Sequence, residues 1–580
     1  MIHRAGTSVT LSLACLVCAG HLQANQKVRP SQGHYLGHTW RIDESHLIWW
    51  DDKPYVRYGF TGNGDVDQLI KLGFNQFNVG PSEQLWAAAD DPTKRQEAVR
   101  QVDALTERLV ARGATYYANL NILWPPADGD RIDSENKVTC LVRRVWGVEP
   151  TNRDKPLEVS FVTEARLRFD RARCRVYWFD MTESRYSDIT SKLKDITTTQ
   201  QVSRESTAER GVANKHTLVL EHVDLPASHD LRITFIGVIE RPSVPAVYPS
   251  ALPALWKPGV QRFFQDSLAR LKTAYAKDGL RGMSFGDEIN THRVSLFGSA
   301  LYVDFSNDAI ALQAYRSWLK ERFKTITELN ASLGTACRGF EDMTWRFCIY
   351  PFMERDHRRE NEKPSTFGLF DSFEQLERID SLQEGFRVWF YGHWLAEYAR
   401  MAKAIMGDVP VFVTSAGING PAAGYLQIHQ HALLEGIDGL SRNHYAWVGK
   451  TTDGRLATFE PGSRTRFPLE TVTEVLQSVQ TQSGRSKAYW ANEFGRPRRE
   501  EDGFKDDFGL GHQFSFPAKE DLRDFLSVLI DNGYKGFNMF KMNPSVEAAR
   551  QEVQWMAELR EEIVGKTISH APTPRSTASQ

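Results

Sequence analysis

Cysteine is scarce in this chain of 580 residues: there are six in all, and Cys15 and Cys18 lie near the amino terminus. The others, Cys140, Cys174, Cys337 and Cys348, form two local pairs. That spacing permits Cys140–Cys174 and Cys337–Cys348 bridges in an oxidising compartment and equally allows buried free thiols. Neither pair has the CxxC spacing of a zinc site and no HExxH occurs, so no metal and no cofactor is expected. GxxxxGK[ST] and strand-linked GxGxxG are also missing, which removes the support for a P-loop or dinucleotide protein. An excess of one charge is lacking too: 71 Lys and Arg face 73 Asp and Glu, a net of -2. No general basic field is therefore available to hold nucleic acid or an anionic membrane. Beyond the amino-terminal segment no run approaches the roughly 18 apolar residues of a membrane span, and none is expected.

What the chain has in quantity is aromatic residues, with 15 Trp, 18 Tyr and 32 Phe, together with 41 Gly. Most aromatics must fill a core, but flat apolar faces beside tight turns also suit pockets for neutral, ring-shaped, hydroxyl-rich ligands. Residues 1–24 combine a short basic start (His3, Arg4), an apolar stretch from Val9 to Ala19 and small residues near Ala24. This is the pattern of a signal peptide, and the expected location is secreted or periplasmic. Neither Cys15 nor Cys18 has a Leu three positions before it, so a lipoprotein anchor is the weaker alternative.

From Tyr55 onward short apolar runs alternate with amphipathic stretches, the rhythm of a parallel sheet with helices outside it. The strand candidates are Tyr55–Phe60, Phe74–Val79, Thr115–Leu120, Gly282–Gly286, Val409–Thr414, Gly439–Tyr445, Lys487–Glu493 and Gly536–Lys541. Helices are expected over Lys94–Arg112, burying Val99, Leu105 and Leu109, and over Ser381–Met406 and Val546–Glu562. Eight strands in this order predict a (β/α)8 TIM barrel with residues 30–126 giving strands one to three and 251–565 strands four to eight. Residues 127–250 lose the helical rhythm and show alternating runs, which predicts an inserted β-sandwich-like domain between strands three and four. A second excess, Asn330 to Asp380 with Trp345, Phe347, Tyr350 and Phe352, is a candidate wall or lid of a pocket. Residues 566–580, rich in Ser, Thr and Pro, are expected to be a disordered tail.

In such a barrel the chemistry lies at the carboxyl ends of the strands. Glu288 closes strand four and Glu493 closes strand seven, two strands that face each other across the mouth. Cleavage of an acetal with retention needs this pair: one carboxyl as acid/base, the other as nucleophile, about 5–5.5 Å apart. The acid/base must start protonated, and burial together with the charges of Glu493 and the adjacent Asp287 would raise its pKa.

This arrangement resembles the glycoside hydrolases of clan A, the retaining (β/α)8 glycosidases. Within them, Trp318-Leu319-Lys320-Glu321-Arg322-Phe323, Ile326-Thr327-Glu328-Leu329-Asn330 and Leu333-Gly334-Thr335 are similar to the segment after strand four in family 42 β-galactosidases. The resemblance covers about Trp49 to Pro126 and Pro253 to Glu562 and leaves the insertion outside. It implies Glu288 as acid/base, Glu493 as nucleophile and Tyr445 as a hydrogen-bond donor to the nucleophile. One position departs: the clan carries Asn before the acid/base, donating to the sugar 2-hydroxyl, and here Asp287 stands there. An ionised Asp accepts from a hydroxyl but cannot donate to it.

Further strand-end candidates for substrate binding are Arg57, Asn78, Asn119, Asn121, His444 and Lys541, with Trp124, Trp447 and Trp490 as stacking candidates. Each has a structural alternative in the barrel core or a loop. The Arg496-Pro497-Arg498-Arg499 run is either a site for an acidic sugar or a solvated loop. Three functions stay open: an exo-acting β-galactosidase-like hydrolase, an endo-acting agarase- or mannanase-like hydrolase, and a non-catalytic glycan-binding barrel. The expected partner is an oligo- or polysaccharide.

Overall fold

The computed structural model describes residues 28–61, 66–81, 92–120, 137–148, 156–164, 168–180, 185–202, 212–221, 231–242, 255–285, 295–296, 299–305, 308–345, 373–415, 423–444, 447–450, 456–459, 469–494, 516, 518–540 and 547–570. The chain divides into two compact units, residues 1–123, 265–288 and 392–580 in one and 124–264 with 289–391 in the other. No helix among the described residues is long and apolar enough to cross a membrane.

The first unit opens with an antiparallel meander that the strand-helix rhythm does not disclose: β1 (Ser31–Tyr35), β2 (His38–Ile42), β3 (Ile48–Trp50) and β4 (Lys53–Tyr55). Next come β5 (Arg57–Thr61), helix α1 (Val66–Lys71), β6 (Gln76–Val79), helix α2 (Pro92–Ala111) and β7 (Thr115–Asn119). The second unit supplies β8 (Lys137–Val148), β9 (Leu157–Glu164), β10 (Arg168–Asp180), β11 (Arg185–Asp188), β12 (Leu193–Val202), β13 (Val212–Leu220) and β14 (Leu231–Pro242). Helix α3 (Pro258–Tyr275) leads into β15 (Leu280–Phe285), followed by β16 (Ser295–Leu296), β17 (Ser299–Asp304), α4 (Ala309–Phe323), α5 (Ile326–Leu333) and α6 (Phe373–Met406). The chain then runs through β18 (Val411–Ser415), α7 (Ala423–Leu434), β19 (Gly439–His444), β20 (Trp447–Lys450), β21 (Leu456–Phe459), α8 (Leu469–Ser483), β22 (Ala488–Phe494), α9 (Lys519–Asp531), β23 (Gly536–Phe540) and α10 (Glu547–Ser569).

Strands β5, β6, β7, β15, β18, β19, β22 and β23 close into one barrel. All neighbours in it are parallel, so this is the expected (β/α)8 TIM barrel, each strand falling where the sequence places it. Its interior is set by alternate strands. Arg57, Tyr117, Phe412 and Trp490, from the first, third, fifth and seventh strands, form one layer. The Trp490 ring stacks on Phe412 at 3.8 Å and meets Tyr117 edge-on at 4.8 Å, and the Arg57 guanidinium lies 5.1 Å from the Tyr117 ring and 5.3 Å from Trp490. Such a layer fits because three of the four intervening strands carry a glycine beside it. Gly282 pairs with Tyr117, Gly439 with Phe412 and Gly536 with Arg57. A Cβ on Gly282 or Gly439 would enter the Tyr117 or Phe412 ring, and one on Gly536 would lie 2.5 Å from Trp490 Cδ1.

Helix α2 buries Ala98, Val102, Thr106 and Leu109. Of the expected stripe only Leu109 is kept, because Thr106 turns inward and donates its hydroxyl to Ala274 O at 2.8 Å, satisfying a polar group that periodicity counts as outward. Helix α10 runs through Ser569, past the expected start of the tail at 566, held where Lys535 Nζ donates to Thr567 O at 2.9 Å.

The meander covers the amino-terminal ends of the barrel strands. Ser31 Oγ donates to Ser486 O at 2.7 Å, Trp40 Nε1 to Asp408 O at 2.6 Å, and His46 Nδ1 pairs with Lys487 O at 2.8 Å. Burial lowers the pKa of His46 and brings Lys487 and Lys535 down to about 8. At the rim of this floor His38 lies between two carboxylates, Asp51 at 2.5 Å and Asp278 at 2.6 Å.

The second unit is antiparallel β-structure with helices. Its larger sheet has the order β11-β10-β14-β8-β17-β16 and its smaller one β12-β13-β9. The larger sheet is not made by the insertion alone, since β16 and β17 come from the far side of β15 in sequence. Strand β14 pairs with both β10 and β8, which separates Cys174 from Cys140 by two strand spacings, about 9.5 Å. That exceeds what a disulfide spans, so the permitted Cys140–Cys174 bridge does not form. Cys337 is a free thiol with its Sγ 3.5 Å from Met343 Sδ, and Cys348 lies outside the described residues. Asp308 caps α4, accepting from Ile310 N and Ala311 N and from Trp256 Nε1 at 2.7 Å, with Lys257 Nζ at 2.8 Å. Trp345 packs on Phe305, Tyr315 and Phe386 in this unit's core, whereas Phe347, Tyr350 and Phe352 lie outside the described residues.

Two outcomes test this description. Gly439→Ala should cost about 1–3 kcal/mol by overpacking the layer, whereas Gly565→Ala, on the exposed face of α10 with open space around it, should gain about 0.5–1 kcal/mol; urea unfolding of both variants decides. For His38, the hydrogen bonds to Asp51 and then Asp278 raise the pKa, while the His38 hydrogen bond lowers that of Asp51. The His38 contribution is therefore complete below the unfolded value near 6.5 and is lost as pH rises through the raised one, and the Asp51 contribution is lost as pH falls below about 4. The melting-temperature gap between wild type and His38→Gln should be widest near pH 5 and close by about pH 9; a gap constant with pH would refute the clasp.

Candidate active site

The carboxyl ends of the barrel strands are the place where side chains from different strands converge. Above the aromatic layer the interior becomes polar. The Arg57 side chain starts beside Gly536 and its guanidinium reaches the later residues of two other strands, giving Nη2 to Asn78 Oδ1 at 2.6 Å and Nη1 to Asn492 Oδ1 at 3.3 Å. Asn492 Nδ2 in turn donates to Asn443 Oδ1 at 3.1 Å. Alongside, Thr414 Oγ1 and Ser441 Oγ share a hydrogen bond of 2.7 Å. An Arg suits this place because its planar fork serves two acceptors while its face lies on aromatic rings. It is 1% exposed. Burial pushes the Tyr117 hydroxyl well above its ordinary range, so the layer below contributes a neutral phenol.

Strand β22 is irregular at this height. Arg442 pairs with Ala491 but Asn443 with Glu493, and on the other side Ala491 pairs with Phe537 but Phe494 with Met539. An extra residue is thus accommodated between Ala491 and Phe494, a β-bulge that both neighbouring strands register.

The structure brings some of the expected site residues together. Arg57, Asn78 and Trp490 meet inside the barrel, but not as a sugar-binding surface. Trp490 is 0% exposed and its ring is engaged by Phe412 and Tyr117, so it carries barrel packing where a stacking platform was expected. Arg57 likewise serves the interior network. Asn119 closes β7, half-buried and in register with Ser284 of β15. Glu493 and His444 are placed by their backbones, both within the last two residues of β22 and β19 and so at the carboxyl ends of their strands. Asp287, Glu288, Asn121, Tyr445 and Lys541 lie outside the described residues, as do Trp124 and Arg496–Arg499. Sequence reasoning missed Asn443 and Asn492; the signal available was that each sits one residue before a strand-end candidate. Among the described residues no group of three His, Cys, Asp or Glu side chains is placed to hold a metal.

No protein-family model matches this sequence, and no curated protein matches it. Solved structures do resemble the chain. They include an exo-carrageenase from Bacteroides ovatus (10% identity, TM-score 0.45, 97% of this chain and 59% of that one). A β-galactosidase from the psychrophilic Marinomonas ef1 shares 11% identity with a TM-score of 0.40 over 87% of this chain and 58% of its own. An agarase shares 14% identity with a TM-score of 0.34 over 55% of this chain and 42% of its own. The chain thus spans about two fifths of that agarase.

Proposed function

We propose that this chain is a retaining glycoside hydrolase acting on β-linked glycans, with Glu493 as nucleophile and Glu288 as acid/base. The observation that carries the reading is positional: in a closed parallel barrel, Glu493 is the penultimate residue of the seventh strand, and Glu288 follows Phe285, the last residue of the fourth, by three positions. That is the face on which such barrels do chemistry. In the first half-reaction Glu288 gives its proton to the leaving oxygen as the Glu493 carboxylate bonds to the anomeric carbon and the glycosidic C–O bond breaks. In the second, Glu288 takes a proton from water, the water oxygen bonds to the same carbon, and the bond to Glu493 breaks. Asp287 and Tyr445 would contact sugar and nucleophile, with His444, Asn119, Asn121 and Lys541 around the mouth.

The resemblance of residues 318–335 to family 42 favours an exo-acting β-galactosidase-like activity, and α4, Thr325 capping α5 through Glu328 N, and Gly334 at φ +66 give that segment its helix-turn-helix form. An endo-acting agarase- or mannanase-like hydrolase is the second reading. Product analysis separates them: single sugars mean exo action and a ladder means endo. A secreted or periplasmic location, from the segment 1–24, belongs to the same proposal.

A panel of aryl β-glycosides with plant and algal polysaccharides tests the reading. Glu493→Gln should lose about 10⁴-fold or more in kcat with an unchanged melting temperature. Glu288→Ala should lose least on substrates with good leaving groups. Equal loss on good and poor leaving groups would remove Glu288 as the acid, and wild-type inactivity on the whole panel would overturn the proposal.

A further inference from the structure

In a regular strand successive side chains alternate between the two faces. Trp490 and Asn492 both point into the barrel, the first against Phe412 and Tyr117 and the second against Arg57 and Asn443. Strict alternation would assign position 493 to the outer face, against the helices, where a carboxylate meets no substrate. The bulge breaks that alternation between Ala491 and Phe494. A bulge costs ladder hydrogen bonds and needs something to hold it.

We infer that Asn492 is the positioning residue of the nucleophile: its side-chain amide, clamped between Arg57 and Asn443, holds the β22 bulge that turns position 493 toward the barrel mouth. The chemistry of the amide fits the task. The carbonyl oxygen accepts from Arg57 and the NH₂ donates to Asn443, so both ends of one short side chain are used. Asp in its place would accept from Arg57 but could not donate to Asn443; Ala would do neither. The clamp joins the first, sixth and seventh strands at one height, so it fixes the bulge against two barrel staves. Asn492 touches no substrate in this scheme and acts through its neighbour.

The inference rests on the proposed function, and its test is arranged so that the two fail separately. On an aryl β-glycoside turned over by wild type, Asn492→Ala should lower kcat by about 10²-fold with KM changed less than about threefold, as expected for a misplaced reacting group. The acid limb of the kcat/KM profile should move in pH, because a displaced nucleophile meets a different set of charges and hydrogen bonds. Asn443→Ser removes the same clamp from the other strand and should reproduce both effects, which guards against a folding defect peculiar to one variant. Asn492→Asp should rescue neither. If both variants keep wild-type kcat and an unmoved acid limb while Glu493→Gln is inactive, the proposed function stands and the inference is overturned. If wild type is inactive on the panel, the function fails and the inference falls with it.

Discussion

The interior layer of Arg57, Tyr117, Phe412 and Trp490 is the constraint on which the barrel depends. An eight-strand parallel barrel has an interior just wide enough to be filled by side chains, and alternate strands supply them. Three aromatic rings and a guanidinium from the odd strands overfill that space unless the even strands step back, and Gly282, Gly439 and Gly536 do so. The layer therefore fixes register: a slip of one residue on any of these strands would set a side chain against a ring. It also makes the interior asymmetric, because a charged group occupies one of its four places. The guanidinium is neutral to packing on its faces and demanding at its edges, so polar acceptors must collect on the side toward which the fork points. Asn78 and Asn492 meet that demand, and the polar height above the layer follows from the Arg within it.

The opposite end is built to different rules. The meander β1–β4 covers the strand beginnings, and the charged groups there are handled as structural liabilities. Lys487 Nζ donates to Ile437 O at 2.7 Å and Lys535 Nζ to Thr567 O, so each buried ammonium ends on backbone carbonyls. Burial outweighs those bonds, which is why both lysines lose protons more readily than an exposed one. His46 is treated likewise, neutral and hydrogen-bonded to a carbonyl. Lys403 is the exception, since Asp408 at 3.0 Å and Asp438 at 2.8 Å compensate its burial and its pKa rises. One end of the barrel thus ends its buried charges on backbone carbonyls and carboxylates, and the other ends its buried guanidinium on side-chain amides.

How much of this was legible in the sequence follows from what periodicity can see. All eight barrel strands were, because a strand buried on both faces reads as a short apolar run and the helices between keep the count. The meander was not: its strands are three to five residues long and include Pro54, His34 and His38, so no run stands out. The insertion reads in the sequence as alternating runs, but the pairing of its strand β8 with β17 joins segments far apart in sequence. Local pattern carries no information on such pairing, and for the same reason it could not show β14 lying between Cys140 and Cys174. At the site, Glu493 was legible as a strand-end carboxylate, whereas the two readings of Trp490 could not be separated, since a Trp three residues earlier fits a sugar platform and a barrel layer equally well in sequence.

The proposed chemistry asks one strand to place a large ring in the core layer and a carboxylate three residues later at the mouth, which is a parity conflict: with period two, positions 490 and 493 belong to opposite faces. There are two exits. The layer residue could move to 489 or 491, but 489 is Tyr, whose hydroxyl is bonded to Tyr534, and 491 is Ala, paired with Arg442 and Phe537. The other exit is an extra residue, and that is the one the register shifts record. A short amide with both hydrogen-bonding ends inside a carboxyl-end bulge is then the economical filler, because it satisfies the Arg already present in the layer and ties the irregularity to a neighbouring strand. Seen this way, the choice of Arg57 for the core layer and of Asn492 for the bulge are one solution: the first supplies the donor that makes the second worth having.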